Sequence, residues 1–121
     1  MAALEDELRL ENVQAQMRKG ALEYCILLVI ARGAQVYASD ILGALKTSDL
    51  IVVEGTIYPL LSRLTRAEYL KYNWIESSAG PPRKYYSLTD RGREALKSMT
   101  EQWVAFTTSI NALREAHEKD A

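Results

Sequence analysis

Gly55-Thr56-Ile57-Tyr58-Pro59-Leu60-Leu61-Ser62-Arg63-Leu64 is the stretch on which the fold turns. Thr56 is a good helix N-cap, because its hydroxyl can accept a bond from a first-turn backbone N–H. Pro59 suits a first helical turn, where its missing N–H has no intrahelical partner to lose. Both signals predict a helix that starts at Thr56. Ile57, Leu60, Leu61 and Leu64 fall on one face of it, leaving Tyr58, Ser62, Arg63 and Arg66 nearer solvent. A helix with these groups beside a capped N-terminus has the chemistry to meet a phosphate or a base edge.

Upstream, Leu10, Val13, Met17, Tyr24, Leu28 and Ala31 recur at three- and four-residue steps or small multiples of them. That spacing predicts one long amphipathic helix over residues 10–32, loosened at Lys19-Gly20 and ended by Gly33 in a left-handed conformation. A shorter helix of about ten residues, opened by Ser39 or the residue before it, has Ile41, Leu42 and Leu45 as its apolar face. It ends between residues 47 and 49, and the apolar Leu50-Ile51-Val52-Val53 follows.

Downstream, residues 69–74 alternate and are rich in aromatics, residues 77–82 are a loop by composition, and residues 83–88 resume the strand pattern. The pattern predicts a β-hairpin with a six-residue tip, basic at its exit. Thr89-Asp90 then caps a final helix. In that helix Leu96, Met99, Trp103, Phe106, Ile110 and Leu113 are spaced three, four, three, four, three, which is a heptad seam. A lone helix cannot hide such a seam, so it packs on the N-terminal helix, on a second chain, or on both.

Three helices and a hairpin in this order make a winged helix-turn-helix. The predicted fold is mainly α with a small β-hairpin, a winged helix-turn-helix plus a long C-terminal dimerisation helix. Residues 1–88 form the DNA-binding unit with its N-terminal helix, and residues 89–121 form the dimerisation helix packed on it. A length of 121 residues suits one domain. The overall charge of −1 speaks against a nucleic-acid partner, but its distribution does not. Residues 60–93 carry a net +4, the first sixteen −3, and residues 94–121 −2. A basic segment between acidic ones is what a DNA-binding face joined to a solvated dimerisation region shows.

The longest apolar run, Cys25 through Ala31, is too short for a membrane span, and acidic residues 5–7 stand where a signal peptide would be basic. The expected location is the cytoplasm. Cys25 is the only cysteine and His117 the only histidine, the latter without a nucleophile or ligand partner. The chain is therefore expected to be no enzyme and to use no metal or cofactor.

Two motifs carry a family resemblance. Residues 55–64 resemble the PadR pattern G-T-I-Y-P-x-L-x-R-L, and Pro82-Arg83-Lys84-Tyr85-Tyr86-Ser87-Leu88-Thr89-Asp90-Arg91-Gly92 resembles that family's wing signature P-R-K-Y-Y-x-L-T-x-x-G. The similarity spans roughly residues 17–113, and the short tail resembles the compact subfamily with a single C-terminal helix. Two departures stand out. The usual Y-G-Y-E-I is Tyr37-Ala38-Ser39-Asp40-Ile41 here, and Glu68 replaces a common glycine before the wing.

The candidate DNA contacts are Ser39, Thr56, Tyr58, Ser62, Arg63, Arg66, Arg83, Lys84 and Tyr85. The candidate dimer interface is the seam itself: Leu96, Met99, Trp103, Phe106, Ile110 and Leu113. The resemblance implies a sequence-specific repressor that binds a palindromic operator in duplex DNA as a homodimer. Because drug-binding PadR members stack planar ligands on a tryptophan pair at the dimer centre, it also implies an aromatic effector at Trp103, Met99 and Phe106. The competing expectation is a winged-helix module that binds protein and no specific DNA.

Overall fold

The computed structural model describes residues 9–50 and 54–120. The acidic residues 5–7 and the apolar Ile51-Val52-Val53 lie outside the described residues. The elements are α1 (Leu10–Ala31), β1 (Val36–Tyr37), α2 (Ala38–Thr47), α3 (Glu54–Arg66), β2 (Leu70–Ser77), β3 (Gly80–Leu88) and α4 (Asp90–Asp120). This is a winged helix-turn-helix followed by one long helix, as the sequence predicts. The sheet has three antiparallel strands in the order β1-β3-β2, so a short strand joins the expected hairpin.

The core is built where α1, α2 and α3 meet the sheet. Ile57, Leu60, Leu61 and Leu64 are all buried, as are Ile41 and Leu45 of α2. Helix α1 has the predicted extent, unbroken through Lys19-Gly20, but it turns a different face inward. Leu22, Ile26, Leu27 and Ile30 are buried, whereas Leu10, Val13, Met17 and Leu28 of the predicted stripe are exposed. Because residues 25–31 are a continuous apolar run, periodicity cannot choose a face there.

Several local expectations are corrected. Gly33 does not enter the left-handed region, since no described glycine has positive φ. The end of α1 is closed instead by tight bonds from the Arg32 N–H to the Val29 carbonyl and from the Gly33 N–H to the Ile30 carbonyl, each 3.2 Å. Helix α2 opens at Ala38, the residue before Ser39, as expected, but its cap residue is Tyr37 and no side chain caps it, so Ser39 lies in the first turn. Helix α3 is already helical at Glu54, so Thr56 lies inside it and is not its cap, and Pro59 lies beyond its first turn. There Pro59 forgoes the bond its N–H would give the Gly55 carbonyl. It does so at an exposed position.

Helices α2 and α3 end alike. After α2, the Leu50 N–H donates to the Leu45 carbonyl (2.8 Å) and the Asp49 N–H to Lys46 (3.0 Å). After α3, the Tyr69 N–H donates to Leu64 (3.1 Å) and the Glu68 N–H to Thr65 (3.0 Å). These are Schellman motifs, whose reversal needs a left-handed residue. Asp49 (φ 62°) and Glu68 (φ 65°) fill that place without being glycine.

In place of a six-residue tip, the hairpin turns on Ser78-Ala79 alone, and Ser77 pairs with Gly80. Ile75 then pairs with Arg83, so Glu76 faces both Pro81 and Pro82 across a bulge. Two residues without N–H groups fit there because a bulge interrupts the ladder. At the hairpin's other end the Thr89 N–H donates to the Tyr69 carbonyl (3.1 Å) and the Thr89 hydroxyl to the Glu68 carbonyl (2.6 Å). The same hydroxyl accepts from the Gly92 N–H (2.9 Å), so Thr89 caps α4 as predicted. Gly92 is buried against this joint, and a β-carbon there would overlap the Tyr69 carbonyl oxygen.

Helix α4 has 31 residues, a length of about 46 Å. Leu96 and Met99 pack against the core, and the Tyr24 hydroxyl of α1 donates to Thr100 Oγ1 (2.9 Å). Beyond that the seam emerges: Trp103, Phe106, Ile110 and Leu113 are exposed, Leu113 to 73%.

Candidate nucleic-acid interface

Tyr58, Ser62 and Arg66 are four residues apart on α3 and form one exposed stripe. The hairpin register decides which wing side chains can join it. Tyr86 and Leu88 point into the core, so Lys84 lies on that same inner face, with its cross-strand partner Trp74 and with Tyr72 opposite Tyr86. Arg83 and Tyr85 lie on the outer face. A cleft of about 510 Å³ between α3 and the hairpin brings together Tyr58, Ser62, Arg83, Lys84, Trp74 and Tyr86.

The two wing cations are held differently. Lys84 Nζ stands 3.9 Å from the centroid of Tyr72, 5.7 Å from Tyr86 and 5.8 Å from Trp74. The Arg83 guanidinium lies 4.8 Å over Tyr37, whose ring also meets Tyr85 at 5.7 Å. Burial pushes the Tyr86 phenol up from its ordinary pKa, with Tyr58 and Tyr72 adding to the rise, so it stays a neutral donor at physiological pH. Burial likewise raises the Cys25 thiol, which disfavours its thiolate.

Of the predicted contacts, Tyr58, Ser62, Arg83 and Lys84 share the cleft, and Arg66 extends their stripe. Arg63 is turned elsewhere: its Nη2 pairs with Glu23 Oε1 of α1 at 3.0 Å. Ser39 is exposed on α2, Thr56 is half-buried, and Tyr85 is on the outer face of β3. The sequence expectation omits Tyr72, Trp74 and Tyr86. Their signal is the two-residue alternation of β2 and β3, which becomes a shared face only once the register is known.

A second cavity, about 550 Å³, opens between α1 and α4. Met99, Trp103 and Phe106 line it with Met17, Tyr24 and Gln102. The Trp103 ring stands 6.1 Å from Tyr24 and 6.5 Å from Phe106. Among the described residues no group of three or more His, Cys, Asp or Glu is placed to hold a metal, and no helix is long and apolar enough to cross a membrane.

A helix-turn-helix whose second helix faces a wing across a basic, aromatic cleft, with a long helix behind, defines the class of winged helix-turn-helix regulators. Residues 26–98 match the transcriptional regulator PadR-like family, and the chain belongs to that family. Its members are transcriptional regulators. A PadR-like transcription factor from Bacteroides fragilis is 50% identical over 84% of this chain and 98% of its own, with a TM-score of 0.70. A PadR-like regulator from Bacillus cereus is 39% identical, covering 81% and 95%, with a TM-score of 0.71. PadR of Bacillus subtilis, solved in complex with operator DNA, is 25% identical over 66% of this chain and 46% of its own, with a TM-score of 0.60.

Proposed function

We propose that this protein is a sequence-specific, DNA-binding repressor that acts as a homodimer and is released from its operator by a small molecule. The observation that carries the reading is the cleft in which the α3 stripe of Tyr58 and Ser62 faces Lys84 of the wing, with Arg83 also among its lining residues. Helix α3 enters the major groove, and the wing cations lie along the flanking backbone. The solved complex of the Bacillus subtilis relative with operator DNA supports duplex DNA as the ligand. The direct test is selection of binding sites from random duplex DNA, followed by affinity measured against salt. A repressor of this design selects a palindrome and shows a steep salt slope; no selected site and no slope leave the protein-binding module as the function.

The α1–α4 cavity favours the ligand half of the proposal. Trp103, Phe106 and Tyr24 offer ring faces, and Met99 offers a polarisable wall for a flat apolar molecule. In a symmetric dimer joined along α4, occupancy at this point shifts the distance between the two α3 helices. A reporter placed behind the selected operator should be silent without a planar aromatic effector and active with it. A reporter that the protein switches on, and not off, reverses the repressor assignment.

A further inference from the structure

We infer that Tyr72 and Trp74 are positioning residues for Lys84, holding its ammonium on the floor of the cleft so that it meets one DNA phosphate. The inference rests on the DNA-binding function proposed above. A lysine on a hairpin edge ordinarily sweeps many rotamers and supplies only diffuse charge. Lys84 is not so placed. It lies on the inner face of β3, beside Trp74 and Tyr72 of β2, with Nζ 3.9 Å from the Tyr72 ring centroid.

The kind of restraint matters. A carboxylate would hold the ammonium but also neutralise it, whereas a ring quadrupole attracts the cation and leaves its charge unspent for a phosphate. The rings brace each other: Tyr72 meets Trp74 edge-on at 6.5 Å and Tyr86 at 6.2 Å, and Tyr86 is buried in the core. The cage is thus anchored to the domain and not to the hairpin tip. Tyr58 and Ser62 line the same cleft from α3. A phosphodiester passing between helix and wing therefore meets hydroxyl donors on one side and a fixed cation on the other.

The test uses the full chain and a duplex carrying the selected site. Tyr72→Leu and Trp74→Leu are each expected to weaken binding about two- to five-fold without changing the salt slope, because the Lys84 charge is still present. Tyr72→Phe keeps the ring and should bind like the parent. In a Lys84→Ala background, itself lowering the slope by about 0.9, the leucine variants should have no further effect. In the free protein, the Lys84 ε-methylene protons should be ring-shifted upfield, and Tyr72→Leu should remove the shift while Tyr72→Phe retains it.

Trp74 is well exposed, so Trp74→Leu keeps the test open where Tyr72→Leu disturbs folding. Additive losses in the Lys84→Ala background overturn the positioning role, as does a Tyr72→Phe protein as weak as Tyr72→Leu. Tighter binding by Tyr72→Leu overturns it too, since the cage then withholds the lysine. A parent protein that binds no duplex even at low salt fails differently: it removes the DNA-binding function itself, and this inference with it.

Discussion

Glu68 shows how a single residue can stand against its own backbone. Its φ of 65° places it in the left-handed region, where a non-glycine residue costs about 1–2 kcal/mol. The resemblance to PadR proteins puts a common glycine at this position, and the Schellman end of α3 supplies the reason. Glycine would lose more unfolded-state freedom, about 0.5–1 kcal/mol, and the Glu68–Arg91 pair at 3.7 Å is exposed and offsets little. Glu68→Gly should therefore raise stability by about 0.5–1 kcal/mol in urea titrations; a lower midpoint would mean the ion pair outweighs the strain. Gly92 is the opposite case. A methyl group there collides with the Tyr69 carbonyl, an atom already accepting the Thr89 N–H. Gly92→Ala should cost about 1–3 kcal/mol through this overpacking. Parental stability in that variant would show that the wing joint yields.

At the scale of the element, how much the sequence revealed depended on whether the signal was local. The α3 face was legible because Ile57, Leu60, Leu61 and Leu64 alternate with polar groups at helical spacing, and all four are buried. The Thr89 cap was legible for the same reason. The core face of α1 is not, because its apolar run offers every face equally, and the start of α3 is hidden because Thr56 and Pro59 both mimic a first turn. The hairpin tip is narrower than its sequence suggests, since Pro81 and Pro82 signal a loop unless a bulge excuses their missing donors. Of the candidate site, Tyr58, Ser62, Arg83 and Lys84 were legible, but the tie of Arg63 to Glu23 depends on how α1 packs against α3. That tie separates two arginines the sequence treats alike. Arg66→Ala should weaken specific binding by about 1–3 kcal/mol if it reads a base. Arg63→Ala should cost less, because Arg63 must first leave Glu23. Equal losses at the two positions would mean that Arg63 exchanges its partner freely on DNA. In the wing, replacing both Arg83 and Lys84 by alanine should lower the salt slope by about one to two phosphate equivalents and leave the preferred operator unchanged.

For the whole molecule, the question is what covers α4. Trp103, Phe106, Ile110 and Leu113 continue the seam that Leu96 and Met99 begin, yet only those two are packed on the core. Leu10 and Met17 of α1 are left exposed as well, and Met17 borders the cavity that Trp103 lines. Large apolar side chains left in water cost about 1.5–3 kcal/mol each relative to burial, so a second copy joined along α4 removes several such penalties at once. A twofold dimer also presents two α3 helices to half-sites about one helical turn apart. Sedimentation should therefore find a dimer at micromolar concentration, and Ile110→Asp should convert it to monomers with weakened operator binding. A monomeric parent, or an unchanged dimer in Ile110→Asp, rules out α4 as the joint. The effector follows from the same geometry but stands separately. Planar aromatic compounds should quench tryptophan emission through Trp103, and Trp74 on the wing adds a second signal that must be removed first. In a Trp74→Phe background Trp103 is the only tryptophan left, so quenching there reports the cavity alone, and binding of the same compound followed by calorimetry should vanish in Trp103→Ala while operator binding survives. Calorimetric binding that persists in Trp103→Ala would mean that the compound is held elsewhere, so its loss in that variant is the result that places the ligand against α4.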